Sequence, residues 1–417
     1  MAQDSGRLCV TCNHCEAAAM YSETFIQRLD RLLAEPLDEV RERQTQALDR
    51  LLGGLDQPFI LFGAGNLGRK ALAVLQAMGV KPKAFIDNNP VLWGTQIEQV
   101  PVFAPAALAQ QWQGPLPGVI ATIWCGEASD RMVDRLDPLR ALGFERIALF
   151  GHLAWRYPQS FLPHYSLDLP EKVLADAERI RTAFGLLGDD ESRQLFIDHV
   201  EWRLFLDYDL LPPAAPQSIY FDRYFSNENV DEVVYDIGAF NGDSVLGYLE
   251  SGRPFREIHS FEPSSSNYQA LVKTLQRLQG HGSFHAHQMA VGDACGEVLI
   301  EAQGGPAARV GSGSERVTVT TLDTLCGRIV PPTFIKIDIE GFEPQCLEGG
   351  RKLISERQPL IAVCVYHEQN HLWTILLQLH AYQPGYHFRL GPHLAEGWDL
   401  VLYAVPNNRL PLHSAAE

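Results

Sequence analysis

Apolar positions along the chain follow two periods in turn. Phe25, Leu29, Leu32 and Leu33 recur at steps of three and four, predicting helix over residues 21–52 that stops at Gly53-Gly54. The pattern then changes. PFILF is a short apolar strand, GAGNLG a tight turn and RKALAVLQAMG an amphipathic helix. KAFID follows as a second strand, then a loop punctuated by Pro and Gly, the helix PAALAQQW and a third strand, GVIATIW. DRMVDRLDPLRALG and ERIALF complete the unit. Apolar strands alternating with helices predict a parallel sheet covered on both faces.

Residues 152 to 225 return to a helical period, with EKVLADAERIRTAFGLL and ESRQLFIDHVEWRLFLDY as its main helices and Pro212, Pro213 and Pro216 marking a boundary. Alternation resumes from about 230 to 406. Its strands are EVVYDI, REIHSF, FHAHQMAV, TFIKID and PLIAVCVY, then a pair near YHFRL and DLVLYAV. The expected architecture is two doubly wound, Rossmann-like α/β domains joined by a helical linker. The boundaries fall at 1–55 (tail and helix), 56–151 (first domain), 152–229 (linker), 230–406 (second domain) and 407–417 (tail).

Composition narrows the function classes. With 46% hydrophobic and 20% charged residues over 417 positions, the chain is a packed globule rather than a disordered or fibrous one. A net charge of −17 without a clustered basic run argues against a nucleic-acid groove and against anionic membrane surfaces. No apolar stretch approaches the roughly 18 residues of a membrane span. MAQDSGRLCV lacks the basic-then-apolar run of a secretory signal, so the expected compartment is the cytoplasm.

The second unit carries its polar residues at strand ends. Asp236 closes the first strand and is followed by Gly238, Ala239 and Gly242, where glycine lets the backbone approach a ligand. Glu262 ends the second strand, 26 residues after Asp236, where a carboxylate can accept from both hydroxyls of a ribose. Ala290 and Val291 follow the third strand and suit an adenine wall. Asp338 and Glu340 close the fourth, and Tyr366, His367 and Glu368 the fifth. Open α/β sheets bind ligands at such carboxyl ends. A capping role for Asp236, Asp338 and Glu340 is the plainer alternative.

Residues 232–406 resemble the FkbM family of S-adenosylmethionine-dependent methyltransferases. The resemblance rests on YDIGAFNGDS, FEP, the AVGD turn, TVTTLDTL, and FIKIDIEGFE followed by CLEGG. It implies a seven-stranded class I methyltransferase sheet with its last strand antiparallel, and O-methyl transfer onto a hydroxyl of a carbohydrate, glycan precursor or related metabolite. Carried over residue by residue, it implies that Asp236, Gly238 and Gly242 contact the amino-acid part of S-adenosylmethionine. Glu262 would hold its ribose, and Asp338 and Glu340 would face the methyl group. An alcohol acceptor must also lose its proton. His367, which titrates near neutrality when unperturbed, and Asp338 are the two candidate bases.

The first unit has its own motif. Gly63, Gly65 and Gly68 form GxGxxG between a strand and a helix, and Asp87 lies 24 residues after Gly63. A nucleotide, a nucleotide-sugar or an NAD(P)-type cofactor would suit this loop, as would packing alone. The segment is also similar to nucleotide-binding-like domains attached to bacterial sugar-modifying enzymes. Cys9, Cys12 and Cys15 sit at chelating spacing with His14 nearby, but no second ligand pair follows, so a frayed tail is the plainer reading. His285 and His287 alternate on one strand face, a pattern that could suggest metal binding, although strand surface is the plainer reading. No resident metal is expected near the crevice.

Overall fold

In a computed structural model, the residues described are 24–124, 131–213, 219–221, 225–226, 231–278, 280–300, 313–397 and 399–410. The expected N-terminal helix is two helices, Phe25–Leu33 and Leu37–Leu52. Pro36 separates them, because it has no N–H to donate and its ring clashes with the preceding turn.

The first sheet contains β1 (Phe59–Phe62), β2 (Phe85–Ile86), β3 (Gln96–Ile97), β4 (Val100–Phe103), β5 (Gly118–Ala121) and β6 (Ile147–Leu149). Their order is β3-β4-β2-β1-β5-β6, parallel except for the β3–β4 hairpin. That hairpin lies where a loop was expected. Its turn places Glu98 and Gln99 at φ 46° and 64°, although neither residue favours the left-handed region, so no sequence signal announces it.

The remaining strands are β7 (Val233–Ile237), β8 (Glu257–Phe261), β9 (Ser283–His287), β10 (Ala290–Val291), β11 (Gly296–Ile300), β12 (Glu315–Thr320), β13 (Phe334–Ile337), β14 (Leu360–Cys364), β15 (His387–Pro392) and β16 (Leu400–Val405). Seven of them form one sheet in the order β15-β16-β14-β13-β7-β8-β9, in which β16 runs antiparallel to both its neighbours. The run expected as one strand, FHAHQMAV, is divided. Its first half is β9, while Ala290 and Val291 leave the large sheet to pair with Val319 and Thr320 in a three-stranded sheet, β10-β12-β11.

One helix joins the two large sheets. On Asp190–Phe205, Phe196, Val200 and Leu204 enter the core beneath the seven-stranded sheet, whereas Trp202 and the following Leu206 enter the core of the first sheet. The segment before it also reaches across: Ser166 Oγ donates to the Tyr366 carbonyl at 2.8 Å, and the Asp168 N–H donates to Gln369 Oε1 at 3.1 Å. Among the described residues no helix is long and apolar enough to cross a membrane.

Candidate active site

The glycine at 238 is required by close approach. Its φ is +80°, and a Cβ there would stand 1.8 Å from the Asp338 carbonyl oxygen. The turns after β7 and β13 therefore lie almost in contact. Lys336, from the middle of buried β13, fastens them: its Nζ donates to the Gly238 carbonyl at 2.6 Å and stands 3.2 Å from Asp236 Oδ1. Ser244 Oγ donates to the other Asp236 oxygen at 2.7 Å. Burial works to discharge the Lys336 ammonium, but Asp236 and Asp338 outweigh it and hold its pKa above the ordinary value.

Glu262 follows β8 and is buried. Its two oxygens accept the Phe240 N–H at 3.0 Å and the Ser264 N–H at 2.9 Å. The Asn267 side chain bonds it as well, so about one of a carboxylate's roughly four lone-pair sites is left. Burial raises its pKa to about 7, against the pull of these amides.

A cavity of about 620 Å³ opens at these strand ends, and Gly238, Glu262, Ala290, Val291, Asp338 and Glu340 all line it. Asp236, Ala239, Gly242 and His367 do not. Asp236 is taken up by Lys336 and Ser244, Ala239 is fully buried, and Gly242 caps the helix Asp243–Glu250 with φ +90°.

The acidic end of the cavity has a second layer behind it. Tyr220 donates its hydroxyl to Asp338 Oδ2 at 2.7 Å, and His367 Nε2 stands 3.3 Å from Asp338 Oδ1 and 3.9 Å from Glu340 Oε1. The other His367 nitrogen lies 2.9 Å from Glu343 Oε1. Burial disfavours an imidazolium here, yet Glu343, Asp338 and Glu340 together raise His367 to about 9. Glu343, itself buried, is drawn down to about 2 by His367 and His371 despite that burial. Of the two candidate bases, Asp338 lines the cavity and His367 sits directly behind it. Asp338, Glu343 and His367 also lie close enough together to share a cation.

Asp399 was not anticipated. It lines the cavity, and burial together with Asp338 raises its pKa to about 6. The sequence reading followed the carboxyl ends of the parallel strands, but antiparallel β16 brings its amino end to the same edge. Lys336 was legible in principle, because a Lys amid Phe-Ile-Lys-Ile is out of place in a strand buried on both faces. Trp124, just after β5 of the first sheet, and Tyr165 also line the cavity and stack with centroids 6.2 Å apart.

In the glycine loop of the first sheet, Gly63 has φ +103°, and a Cβ at Gly68 would stand 2.0 Å from the Gly63 carbonyl oxygen. Gly65 has open space around it. Asp87 accepts the Ala64 N–H at 2.6 Å and the Asn89 N–H at 2.7 Å, one on each oxygen. Packing thus accounts for Gly63 and Gly68, and Asp87 serves the loop itself. Cys9, Cys12 and Cys15 lie outside the described residues.

Part of the segment that carries this site matches a known family model. Residues 236–390 match the Methyltransferase FkbM domain. The chain is also similar in structure to the FkbM methyltransferase from Methylobacillus flagellatus KT, with a TM-score of 0.69 and 21% identity over 91% of this chain and 98% of that one. At that identity the likeness is one of fold, and it takes in the first sheet as well as the FkbM segment. The SAH-bound methyltransferase PaMTH1 from Podospora anserina aligns with 68% of this chain and 100% of its own at 13% identity and a TM-score of 0.27. No curated protein matches. The FkbM match and the fold together support a methyltransferase.

Proposed function

We propose that this chain is an S-adenosylmethionine-dependent O-methyltransferase acting on a hydroxyl of a carbohydrate, glycan precursor or related metabolite. The observation that carries the reading is the cavity bounded by Glu262 at the end of β8 and by Asp338 beyond β13. Its donor set fits the cofactor. Glu262 has acceptor capacity left for a ribose hydroxyl, while Ala290 and Val291 offer the apolar edge an adenine needs. Gly238 and Glu340 border the space left for the amino-acid part, with Asp236 holding the loop through Lys336 and Ser244 rather than meeting the ligand. When bound, S-adenosylmethionine supplies a methyl group already activated by its sulfonium.

The chain's own residues then have two tasks, aligning the acceptor and receiving its proton. Asp399 suits the second. A carboxyl with a pKa of about 6 is ionised at neutral pH yet more basic than an exposed aspartate. Asp338 is held by Tyr220 and His367, which suits it to a positioning role. His367 is a positioning residue for Asp338 and Glu343. Trp124 and Tyr165 supply an aromatic wall suited to the apolar face of a sugar ring.

The test is transfer from S-adenosylmethionine carrying a ¹³C-methyl group to a panel of nucleotide-sugars and glycosides, read by NMR. An O-methyl resonance on a sugar product supports the reading. A methyl found on nitrogen or carbon overturns it.

A further inference from the structure

The seven-stranded sheet ends in a cluster of histidines far from the cavity. Register pairs β8 with β9 so that Glu257 faces Ser283, His259 faces His285 and Phe261 faces His287. Side chains two apart on a strand share a face, so Glu257, His259, His285 and His287 all project to the same side. The rings stack: His259 and His285 have centroids 4.5 Å apart and planes 15° apart.

We propose that Glu257, His259 and His285 form a transition-metal site of the zinc type at this sheet edge. Glu257 Oε2 lies 3.1 Å from His259 Nε2 and 3.6 Å from His285 Nε2, and the three donor atoms all lie within 4.8 Å of one another. In a tetrahedral site with bonds of about 2.0–2.2 Å, neighbouring donors stand about 3.4 Å apart. A modest rotation about the broad terminal torsions of the stacked rings turns both Nε2 lone pairs onto a shared ion.

The surroundings complete the site. His259 Nδ1 lies 3.1 Å from His287 Nε2, which frees His259 Nε2 for an ion when Nδ1 carries the proton. Arg256 holds the far oxygen of Glu257 at 3.0 Å and so orients the near one. His285 is half-exposed, which gives an ion a way in and leaves the fourth position to water.

The site lies about 10–16 Å along β8 from Glu262. Its role is to clamp the edge strand to β8, and the strands it joins lead to Glu262 and to Ala290.

The test uses the full chain carrying Cys9→Ser/Cys12→Ser/Cys15→Ser/Cys295→Ser, which removes the clustered thiols and the exposed Cys295. After chelator treatment, Zn²⁺ is titrated against a chromophoric chelator, and Co²⁺ is added to a parallel sample. One Zn²⁺ per chain, Co²⁺ absorption without a thiolate charge-transfer band, and an affinity lowered on the order of 100-fold by His285→Ala support the proposal. His285 is a surface strand residue, so that variant folds even where His259→Gln does not. An absence of stoichiometric Zn²⁺, or an affinity indifferent to His285→Ala, overturns it.

Discussion

Lys336 Nζ lies 3.2 Å from Asp236 Oδ1, and both side chains are almost wholly removed from water. Each charge depends on the other, because removing one partner of a buried pair leaves the second uncompensated. Lys336→Met should therefore cost about 3–5 kcal/mol of unfolding free energy, read by urea denaturation. Because Lys336 also holds the Gly238 carbonyl, the variant should bind S-adenosylhomocysteine weakly even where it remains folded.

Glu262 gives cofactor binding a pH dependence of definite sign. In the free protein its carboxyl titrates at about 7, while hydroxyl donors favour the ionised form. Binding should release a proton near pH 7, and affinity should rise from pH 6 to pH 8. Calorimetry in two buffers of different ionisation enthalpy measures the release directly. Glu262→Gln should abolish both effects.

His367 and Glu343 make a stability prediction. His367 is raised from 6.5 to about 9, so its contribution is complete below pH 6.5 and is lost as pH rises through 9. Glu343 is lowered from 4.5 to about 2, so its contribution is complete above pH 4.5 and is lost as pH falls through 2. His371, lowered to about 4 by burial, subtracts from stability below pH 6.5. Unfolding free energy should fall by up to about 3 kcal/mol between pH 6.5 and 9. In His367→Gln that slope should vanish, with the whole curve lowered.

Asp399 carries the prediction for the chemical step. The acidic limb of kcat/KM should turn near pH 6, the value set by its burial. Asp399→Asn should lower kcat by about 10²–10⁴-fold and remove that limb, with S-adenosylhomocysteine affinity little changed. A limb near pH 6 that persists in Asp399→Asn at saturating S-adenosylmethionine contradicts this assignment.

Apart from the β3–β4 hairpin, the strands of the two large sheets were legible because buried parallel strands are short continuous apolar runs such as Phe59–Phe62 and Leu360–Cys364, each bounded by turn residues. The cavity-lining residues Gly238, Glu262 and Asp338 were legible for a related reason: each follows its strand directly, and Ala290, Val291 and Glu340 lie within four residues of one, so finding the strand finds the residue. Asp399, Tyr220, Tyr165 and Trp124 were not, because they reach the cavity through an antiparallel strand, a connecting segment and a different sheet. His367 was found, but its charge state depends on Glu343 and Asp338, which only tertiary packing brings to it. The cluster at Glu257, His259 and His285 needed the β8–β9 register, which no local pattern encodes.

The most direct test of the cofactor site is calorimetric titration of the chain, and of Glu262→Ala, with S-adenosylhomocysteine and separately with NADH. The account predicts one S-adenosylhomocysteine site per chain, lost or severely weakened in Glu262→Ala, and no heat from NADH. Binding of NADH alone, or S-adenosylhomocysteine binding that Glu262→Ala leaves untouched, would contradict it.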